Sequence, residues 1–265
     1  MKQRVVLIGS GNVATAVAIA AAPECEIVQI YSRTLTHARQ LAQRVHCPNV
    51  TDRLDGLVDD ADVYVIAVTD DAIPQIIDQT APNSGLWLHT SGSKPIELFK
   101  GKRRHYGVMW PMQSFSKQLQ VDFSEVPLFI EASSTTAMKS LQRFASTLSH
   151  TVMQADSKRR ARLHLASVFA CNFSNHMWTL AAEVLDEADL PFEVLKPLIR
   201  TTVAKLDTLS PAESQTGPAA RADEQVMSQQ AAMLTGDKQT IYRLLSQSII
   251  DHHKPNSDNT PTKAS

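Results

Sequence analysis

Residues 5–14 read VVLIGSGNVA, a short apolar run that breaks directly into Gly9, Gly11 and Ala14. An apolar strand followed by the pattern G-x-G-x-x-G/A and then a helix is the fingerprint of a dinucleotide-binding βαβ unit. Gly9 permits the tight turn, Gly11 lets the backbone approach a pyrophosphate, and Ala14 lets the next helix, Thr15–Ala22, pack near the strand. We expect the pyrophosphate at the N-terminus of that helix, where unpaired N–H groups and the helix dipole favour an anion.

The residues after the second predicted strand, Glu26–Tyr31, indicate which dinucleotide binds. NAD-binding proteins usually carry Asp or Glu about 20 residues beyond the glycines, where the carboxylate accepts a hydrogen bond from the ribose 2′-OH. This chain has Ser32, Arg33 and Thr34 at that point. A guanidinium with flanking hydroxyls suits a 2′-phosphate, which a carboxylate would repel, so we expect NADP(H) rather than NAD(H). The alternative is that Arg33 only begins a solvated helix.

Further cofactor contacts are expected where the predicted strands Val63–Val68 and Gly85–His89 end, because ligands of parallel sheets bind at the carboxyl ends of the strands. Asp71 could instead cap a helix that begins at Ala72. The expected cofactor-binding residues are Gly9, Ser10, Gly11, Asn12, Val13, Ser32, Arg33, Thr34, Val68, Thr69, Asp70, Thr90 and Ser91.

Composition and charge exclude several classes of protein. The chain has 265 residues, of which 43% are hydrophobic and 20% charged, as in globular proteins. Its 26 basic and 27 acidic residues nearly cancel, so we expect neither a nucleic acid nor a membrane as partner. The three cysteines lack C-x-x-C spacing, which argues against a disulfide framework and a metal site. No signal-peptide pattern or bilayer-spanning apolar run is present, and a cytoplasmic location is expected.

The first half of the chain alternates strands and helices, which predicts an α/β Rossmann dinucleotide-binding domain with a mostly parallel sheet. Helices are predicted at Thr36–Val45 and Thr135–Leu148. The predicted strands are Val5–Ile8, Glu26–Tyr31, Val63–Val68, Gly85–His89, Tyr106–Trp110, Pro127–Ile130 and Thr151–Met153.

An all-α C-terminal domain is predicted from residue 156, because no strand-like run follows it. Ser157–Ala188 carries apolar residues at helical spacing without Gly or Pro, and Asp156 or Ser157 could cap it. So long an apolar helix predicts a homodimer formed through this domain. We therefore divide the chain into 1–155, 156–251 and a disordered polar tail at 252–265. Shorter helices are predicted at Phe192–Leu209, Ala222–Thr235 and Lys238–Asp251.

The long predicted helix also carries the candidate catalytic residues His164, Asn172 and Asn175. At about 100° per residue, His164, Cys171 and Asn175 fall within one narrow stripe, with Asn172 slightly off it. A reductase must supply a proton and orient its substrate, and an imidazole titrates near neutral pH, so His164 is the expected proton donor. The alternatives are that the asparagines satisfy helix ends or a dimer contact and that His164 is an ordinary half-buried histidine.

Two other histidines and three polar residues complete the candidates. His89 ends a strand at the cofactor edge, whereas His105 begins a strand and is expected at the wrong end of the sheet. We expect substrate contacts from three side chains. Two follow a strand, and the third stands beside a predicted helix N-terminus, a good carboxylate site. They are Gln113, Ser114 and Arg221.

Five motifs together resemble the Rossmann-like NADP oxidoreductases that carry a helical C-terminal domain of unassigned function. The motifs are GSGNVA at 9–14, HTSGS at 89–93, WPMQSF at 110–115, LHLASVFACNFSNHM at 163–177 and QTGPAARAD at 215–223. This resemblance covers residues 1 to about 250 and implies the architecture rather than a substrate. More distantly, the layout is similar to pyrroline-5-carboxylate reductase and to 6-phosphogluconate and β-hydroxyacid dehydrogenases, which implies a helical dimerisation domain.

The chain departs from two of the more distant patterns. β-Hydroxyacid dehydrogenases use a Lys four residues before an Asn on the long helix, where this chain has Val168 and Cys171. Prephenate dehydrogenases carry H-P-M after the corresponding strand, where this chain has Trp110, Pro111 and Met112. Neither mechanism can therefore be carried over.

Three hypotheses about function remain open at this point. The first is an NADP(H)-dependent oxidoreductase that transfers a hydride to or from a small, polar, carboxylated carbonyl or imine compound. The second is a protein that binds NADP(H) as a structural or sensing ligand and catalyses nothing. The third, a doubly wound protein that binds no dinucleotide, requires both the glycine loop and Arg33 to be coincidences.

Overall fold

Eight strands form a single sheet in the computed structural model, which describes residues 2–116 and 121–253. The strands are β1 (Gln3–Ile8), β2 (Cys25–Tyr31), β3 (Val50–Thr51), β4 (Val63–Ile66), β5 (Leu86–His89), β6 (His105–Pro111), β7 (Leu128–Ala132) and β8 (Val152–Gln154). Their order across the sheet is β3-β2-β1-β4-β5-β6-β7-β8. All neighbours pair in parallel except β6 and β7, which pair antiparallel.

The helices of the described residues alternate with these strands and then follow one another without strands. They are α1 (Asn12–Ala21), α2 (Leu35–Val45), α3 (Ile73–Gln79), α4 (Thr135–Ser146), α5 (Ser157–Ser167), α6 (Ser174–Asp186), α7 (Lys196–Ala204), α8 (Glu224–Ala232) and α9 (Gly236–His253). A π-helical segment, Val168–Phe173, joins α5 to α6. The α/β class, the mostly parallel sheet and the helical C-terminal region are therefore confirmed.

The strand order reverses beside β1, and this reversal determines where a ligand can bind. The chain runs outward from β1 through β2 to β3 and then returns to place β4 on the other side of β1. Loops that leave adjacent strands in opposite directions open a crevice at the carboxyl ends of those strands. The loops after β1 and β4 meet there, where the Ala67 amide donates to the Ile8 carbonyl at 2.8 Å.

Both faces of the sheet are buried, as the continuous apolar runs in its strands require. In β1, Val5 and Leu7 pack on the face covered by α1, α2 and α4, while Val6 and Ile8 pack on the face covered by α3. The alternation follows from the two-residue period of a strand. Each fully buried side chain of this size stabilises the fold by roughly 1.5–3 kcal/mol.

The predicted strands all occur, with ends that shift by one or two residues. Two further elements were too short to be predicted from the sequence pattern. Strand β3 has two residues, too few to display an alternation, and α3 is short, with Pro74 in its first turn. Asp71 does not cap α3, whose first turn has no side-chain cap. Asp156 does cap α5, because its carboxylate accepts from the Arg159 amide at 2.8 Å.

The prediction of one regular helix over Ser157–Ala188 is wrong at its centre. The π-helical segment Val168–Phe173 replaces the i→i−4 pattern there. The α-helical rotation of about 100° per residue therefore does not continue through this segment. The stripe that placed His164, Cys171 and Asn175 together assumed constant α-helical rotation, and it does not hold.

The chain divides into two compact units, one that extends to Ala170 and one that begins at Cys171. The sequence-based boundary between 155 and 156 instead marks the end of the sheet, where β8 gives way to α5. The functional division of the chain at residue 156 stays a prediction. Among the described residues, no helix combines the length and apolar character needed to cross a membrane.

The second unit departs from the predicted helices in detail. The predicted helix Phe192–Leu209 breaks into the α-helix α7 and flanking 3-10 turns at Phe192–Leu195 and Lys205–Asp207. Helix α9 extends to His253, so the start of the predicted disordered tail is helical. The rest of that tail, 254–265, lies outside the described residues.

Candidate functional site

Gly9 is the point at which the loop after β1 touches the end of β4. Its φ angle is +131°, which L side chains rarely adopt, and a Cβ there would lie 2.1 Å from the carbonyl oxygen of Ala67. The Gly9 amide donates to the Tyr31 carbonyl at 2.8 Å. Any side chain at this position would therefore force the ends of two neighbouring strands apart.

Gly11 differs from Gly9, because neither its backbone conformation nor its neighbouring atoms require glycine. Its φ angle of −76° is open to every residue, and a Cβ would meet nothing within 4 Å among the described residues. Protein packing therefore does not exclude a side chain at Gly11. The residue precedes α1 and offers no side-chain cap, so the first amides of α1 are free to bind an anion that approaches the backbone. Ala14, by contrast, is fully buried against the sheet.

A cavity of about 660 Å³ opens at these loops. It brings together most of the predicted cofactor-binding residues, and the other lining residues come mainly from α3 and from the ends of β2 and β4. The predicted residues that line it are Gly9, Ser10, Gly11, Asn12, Val13, Ser32, Arg33, Thr34, Val68, Thr69 and Gln113. Lining residues that the sequence analysis did not select are Tyr31, His37, Leu54, Ala67, Ala72, Gln75, Ile76, Gln79 and Phe115.

The charge of this cavity is one-sided. Among its described lining residues, Arg33 and His37 are basic and none carries a carboxylate. Arg33 is exposed and forms no ion pair within the described part of the chain. Ser32 is buried instead, and its hydroxyl hydrogen-bonds that of Ser10 at 2.8 Å, which fixes the loop after β2 against the glycine loop. An exposed guanidinium held at a fixed loop is suited to a phosphate group.

Three of the predicted cofactor residues do not line this cavity. Asp70 accepts a hydrogen bond from the Ser93 hydroxyl, which joins the loop after β4 to the loop after β5. The hydroxyl of Ser91 accepts from the amides of Ser93 and Lys94 at 3.2 and 3.0 Å. The Thr90 amide donates to Ile66. These residues shape the two loops, and their contact with a cofactor stays a prediction.

His164 lies against the loop after β5. Its ring is 5.8 Å from that of Trp110, and a Cβ on Gly92 would come within 2.8 Å of the His164 ring and 2.7 Å of the Trp110 ring. Gly92 therefore lets the loop approach both rings. No local sequence pattern could have indicated this contact, because His164 is far from Gly92 along the chain.

The other two histidine candidates are placed differently. His89 is fully buried, and its Nδ1 accepts from the Ser91 amide at 3.2 Å. Burial, reinforced by the positive charge of Arg160, lowers the pKa of His89 from 6.5 to about 4. His89 is therefore neutral near pH 7 and serves the loop rather than a substrate. His105 borders a separate depression at the amino ends of the strands, as expected.

The residues after β6 meet the glycine loop. The Asn12 side chain donates to the Phe115 carbonyl at 2.9 Å, and Gln113 lines the cavity. Ser114 does not line it, and its amide donates to the Gln113 side-chain oxygen at 2.8 Å. The loop after β6 therefore places one of the two predicted substrate contacts, Gln113, at the cavity.

The second unit holds the remaining predicted residues. Asn172 lies in the π-helical segment and Asn175 in the first turn of α6, and both are exposed. Arg221 precedes α8, whose N-terminus is capped by the carboxylate of Asp223, which accepts from the Val226 amide at 3.1 Å. A substrate carboxylate would therefore meet the Arg221 guanidinium but not an uncapped helix end. The roles of these three residues stay predictions.

An ion pair beside His164, between the buried Arg160 and the half-buried Glu131, was not predicted from the sequence. Arg160 is 1% exposed, and its Nη1 lies 2.6 Å from Glu131 Oε2. Its Nη2 donates to the Lys94 carbonyl at 2.8 Å. The pair joins residues 29 positions apart, so no local pattern could have revealed it. Within the described residues, no group of three or more His, Cys, Asp or Glu side chains could hold a metal ion.

Comparison with known proteins agrees with this geometry. Residues 4–86 match the family model described as NADP oxidoreductase coenzyme F420-dependent, and residues 126–249 match a domain of unknown function, DUF2520. A protein of Bacteroides fragilis, whose name assigns it to the NADP oxidoreductases, is 46% identical, with 94% of this chain and 98% of that chain covered and a TM-score of 0.86. The chain therefore belongs to this family of Rossmann-like NADP oxidoreductases with a helical C-terminal domain. No curated protein matches it.

Two solved structures of lower identity share the fold. The 1-pyrroline-5-carboxylate reductase of Streptococcus pyogenes is 10% identical, with 94% of this chain and 99% of that chain covered and a TM-score of 0.65. A reductive aminase of Aspergillus terreus, solved with NADPH and ethyl-5-oxohexanoate, is 11% identical, with 95% and 94% covered and a TM-score of 0.68. The distant similarity to pyrroline-5-carboxylate reductase is thereby confirmed at the level of fold.

Substitution by alanine should have very different effects on stability at the two glycines of the loop. Gly9→Ala would bring Cβ within 2.1 Å of a carbonyl oxygen, so we expect it to lower the free energy of unfolding by about 2 kcal/mol or more. Gly11→Ala meets no described atom and should change that free energy by less than about 0.5 kcal/mol. Denaturant titration measures both.

The affinity for NADP⁺, in contrast to stability, should be sensitive to the substitution at Gly11. A methyl group at Gly11 occupies the space through which a pyrophosphate approaches the backbone, so we expect Gly11→Ala to weaken binding about tenfold or more in a stably folded protein. Unchanged affinity in Gly11→Ala would contradict the placement of the pyrophosphate.

Proposed function

We propose that this chain is an NADP(H)-dependent oxidoreductase that binds its cofactor in the cavity between the loops after β1, β2 and β4. The observation that carries the proposal is the charge of that cavity, which has two basic side chains and no carboxylate among its described lining residues. A pyrophosphate would be held by the backbone of Gly11 and the first turn of α1, and a 2′-phosphate by Arg33 and Thr34. The preference for NADP(H) over NAD(H) rests on Arg33.

The proposed chemistry is reduction of a C=O or C=N bond, or its reverse. When bound, NADPH supplies a hydride to the carbon and becomes NADP⁺. We assign to His164 the proton that the substrate oxygen or nitrogen must receive, because its ring lies beside Gly92, at the carboxyl end of the neighbouring strand. Gln113, Ser114, Asn172, Asn175 and Arg221 are proposed to orient the substrate.

A small polar compound with a carboxylate and a carbonyl or imine group is the proposed substrate class. Support comes from structures of the same fold, since the S. pyogenes relative is named for an imine carboxylate and the A. terreus relative was solved with a keto ester. Arg221 supplies a cation for the carboxylate. The cysteines Cys25, Cys47 and Cys171 are all free, which suits the proposed cytoplasmic location.

Calorimetric titration with NADPH and NADH tests the cofactor. We expect tighter binding of NADPH, and we expect Arg33→Asp to reduce the NADPH-to-NADH preference about tenfold or more, because a phosphate-binding cation becomes a repelling anion. Arg39→Asp is the matched control, since it makes the same charge change on the exposed face of α2. An equal loss of the NADPH-to-NADH preference in both variants would mean that Arg33 acts only through the overall charge of the protein. Binding of neither nucleotide by the unaltered chain would overturn the proposal.

The alternative is a protein that binds NADP(H) as a structural or sensing ligand, and the absence of a lysine at Val168 and Cys171 favours it. The two hypotheses separate in NADPH oxidation assays with a panel of 2-oxo acids, with and without amines. For an enzyme, we expect His164→Ala to lower turnover about a hundredfold or more with little change in NADPH affinity. His176→Ala, at an exposed histidine on α6, should leave turnover unchanged. A sensing protein has no turnover to lose.

A homodimer through the helical domain is part of the proposal, and exposed apolar surface supports it. Among the described residues of the second unit, the buried hydrophobic residues are Ala219 and Ala231 alone, and both retain slight exposure. Leu198, Met233 and Leu244 are each more than 60% exposed, at 63%, 76% and 66%. A helical unit normally buries such residues in its own core or against a partner. Light scattering at micromolar concentration should give the mass of two copies, and the mass of one copy would contradict the proposal.

A further inference from the structure

Arg160, on α5, is hydrogen-bonded to two other parts of the first unit. Its guanidinium contacts Glu131 on β7 at 2.6 Å and the carbonyl of Lys94, in the loop after β5, at 2.8 Å. Ser157, one turn earlier on α5, donates to the same Glu131 oxygen at 2.7 Å and accepts from the Ile96 amide at 3.2 Å. These contacts attach α5 both to the sheet and to the segment after β5.

Stability alone is a poor explanation for this arrangement. Removing a buried ion pair from water costs several kcal/mol per ion, and an apolar pair of similar volume is often as stable or more stable. Arg160 also leaves its Nε without a hydrogen-bond partner among the described residues. What the planar guanidinium does supply is a fixed geometry between two acceptors on different elements, the Glu131 carboxylate and the Lys94 carbonyl.

The segment from Gly92 to Ile96 is held against α5 at three points. At its start, Gly92 packs on the His164 ring; at its centre, the Lys94 carbonyl binds Arg160; at its end, the Ile96 amide binds Ser157. Arg160 and His164 are four residues apart on a regular helix and so lie on the same face. The hydrogen bond of Arg160 therefore sets how closely the loop approaches His164.

This loop faces the part of the cofactor that the glycine loop does not hold. With the pyrophosphate at Gly11 and the 2′-phosphate at Arg33, beyond β2, the nicotinamide half must extend the other way, over the ends of β4 and β5. The loops at those two ends are already joined, because Ser93 donates to Asp70. We infer that Arg160 is a positioning residue that holds the loop after β5 in the place where it receives the nicotinamide half of NADP(H). This inference rests on the proposed function.

Arg160→Lys is the most informative variant. Lysine keeps the buried positive charge beside Glu131 but lacks the planar fork that reaches both Glu131 and the Lys94 carbonyl. Calorimetry would compare NADP⁺ with adenosine 2′,5′-bisphosphate, a probe that lacks the nicotinamide half. We expect NADP⁺ to bind about tenfold more weakly and the bisphosphate to bind as before. A merely structural role for Arg160 would lower both affinities together.

Two further variants keep the test decisive. Arg162→Met is the matched control, because Arg162 is exposed on the same helix and should leave both affinities unchanged. The double variant Arg160→Met, Glu131→Met removes the buried pair without stranding a charge, and it should show the same split if Arg160→Lys does not fold. Equal weakening of both ligands, or unchanged NADP⁺ affinity, would overturn the inference while the proposed function stands. No binding of the bisphosphate by the unaltered chain would overturn the proposed function itself.

Discussion

The contact between Gly9 and the carbonyl oxygen of Ala67 is the constraint on which the rest of the site depends. Strands β1 and β4 are neighbours although two strands separate them along the chain, and their ends can meet only where no Cβ intervenes. Because these ends are in contact, the N-terminus of α1 points into the crevice, and the loops after β2 and β4 lie on either side of the crevice. Glycine at position 9 is thus required by the sheet itself, whereas no contact among the described residues requires glycine at position 11.

Two arginines show how the environment separates binding from positioning. Arg33 is exposed and without an ion pair in the described chain, so its charge is available to a ligand although water and salt screen it. Arg160 is 1% exposed, and its Nη1 and Nη2 donate to Glu131, Ser157 and the Lys94 carbonyl. The first can gain an interaction when a phosphate arrives, and the second can only transmit geometry. Their chemistry is the same, and the difference in burial is the basis of the two different roles that we propose for them.

The features of the site that could be predicted from the sequence are those that depend on residues close together along the chain. The glycine loop, Arg33 and the end of β4 were predictable because each is a pattern within a few residues, and all three line the cavity. The approach of His164 to Gly92 and the pair formed by Arg160 and Glu131 depend on tertiary contacts between distant segments. The π-helical segment at Val168–Phe173 was unpredictable for another reason, since it contains no Gly or Pro and its apolar residues continue the helical spacing. Its effect is large, because it invalidates every angular argument that crosses it.

The uneven burial of the two units bears on the proposed chemistry. The first unit has a core on each face of its sheet and carries every lining residue of the cofactor cavity. The second has almost no buried apolar side chains of its own in the described residues, yet the proposed substrate contacts of Asn172, Asn175 and Arg221 lie in it. Side chains on an incompletely packed scaffold cannot hold a reacting group to within the fraction of an ångström that catalysis requires. The cavity is therefore built by the first unit alone, whereas these proposed substrate contacts lie on a unit whose apolar side chains are largely exposed.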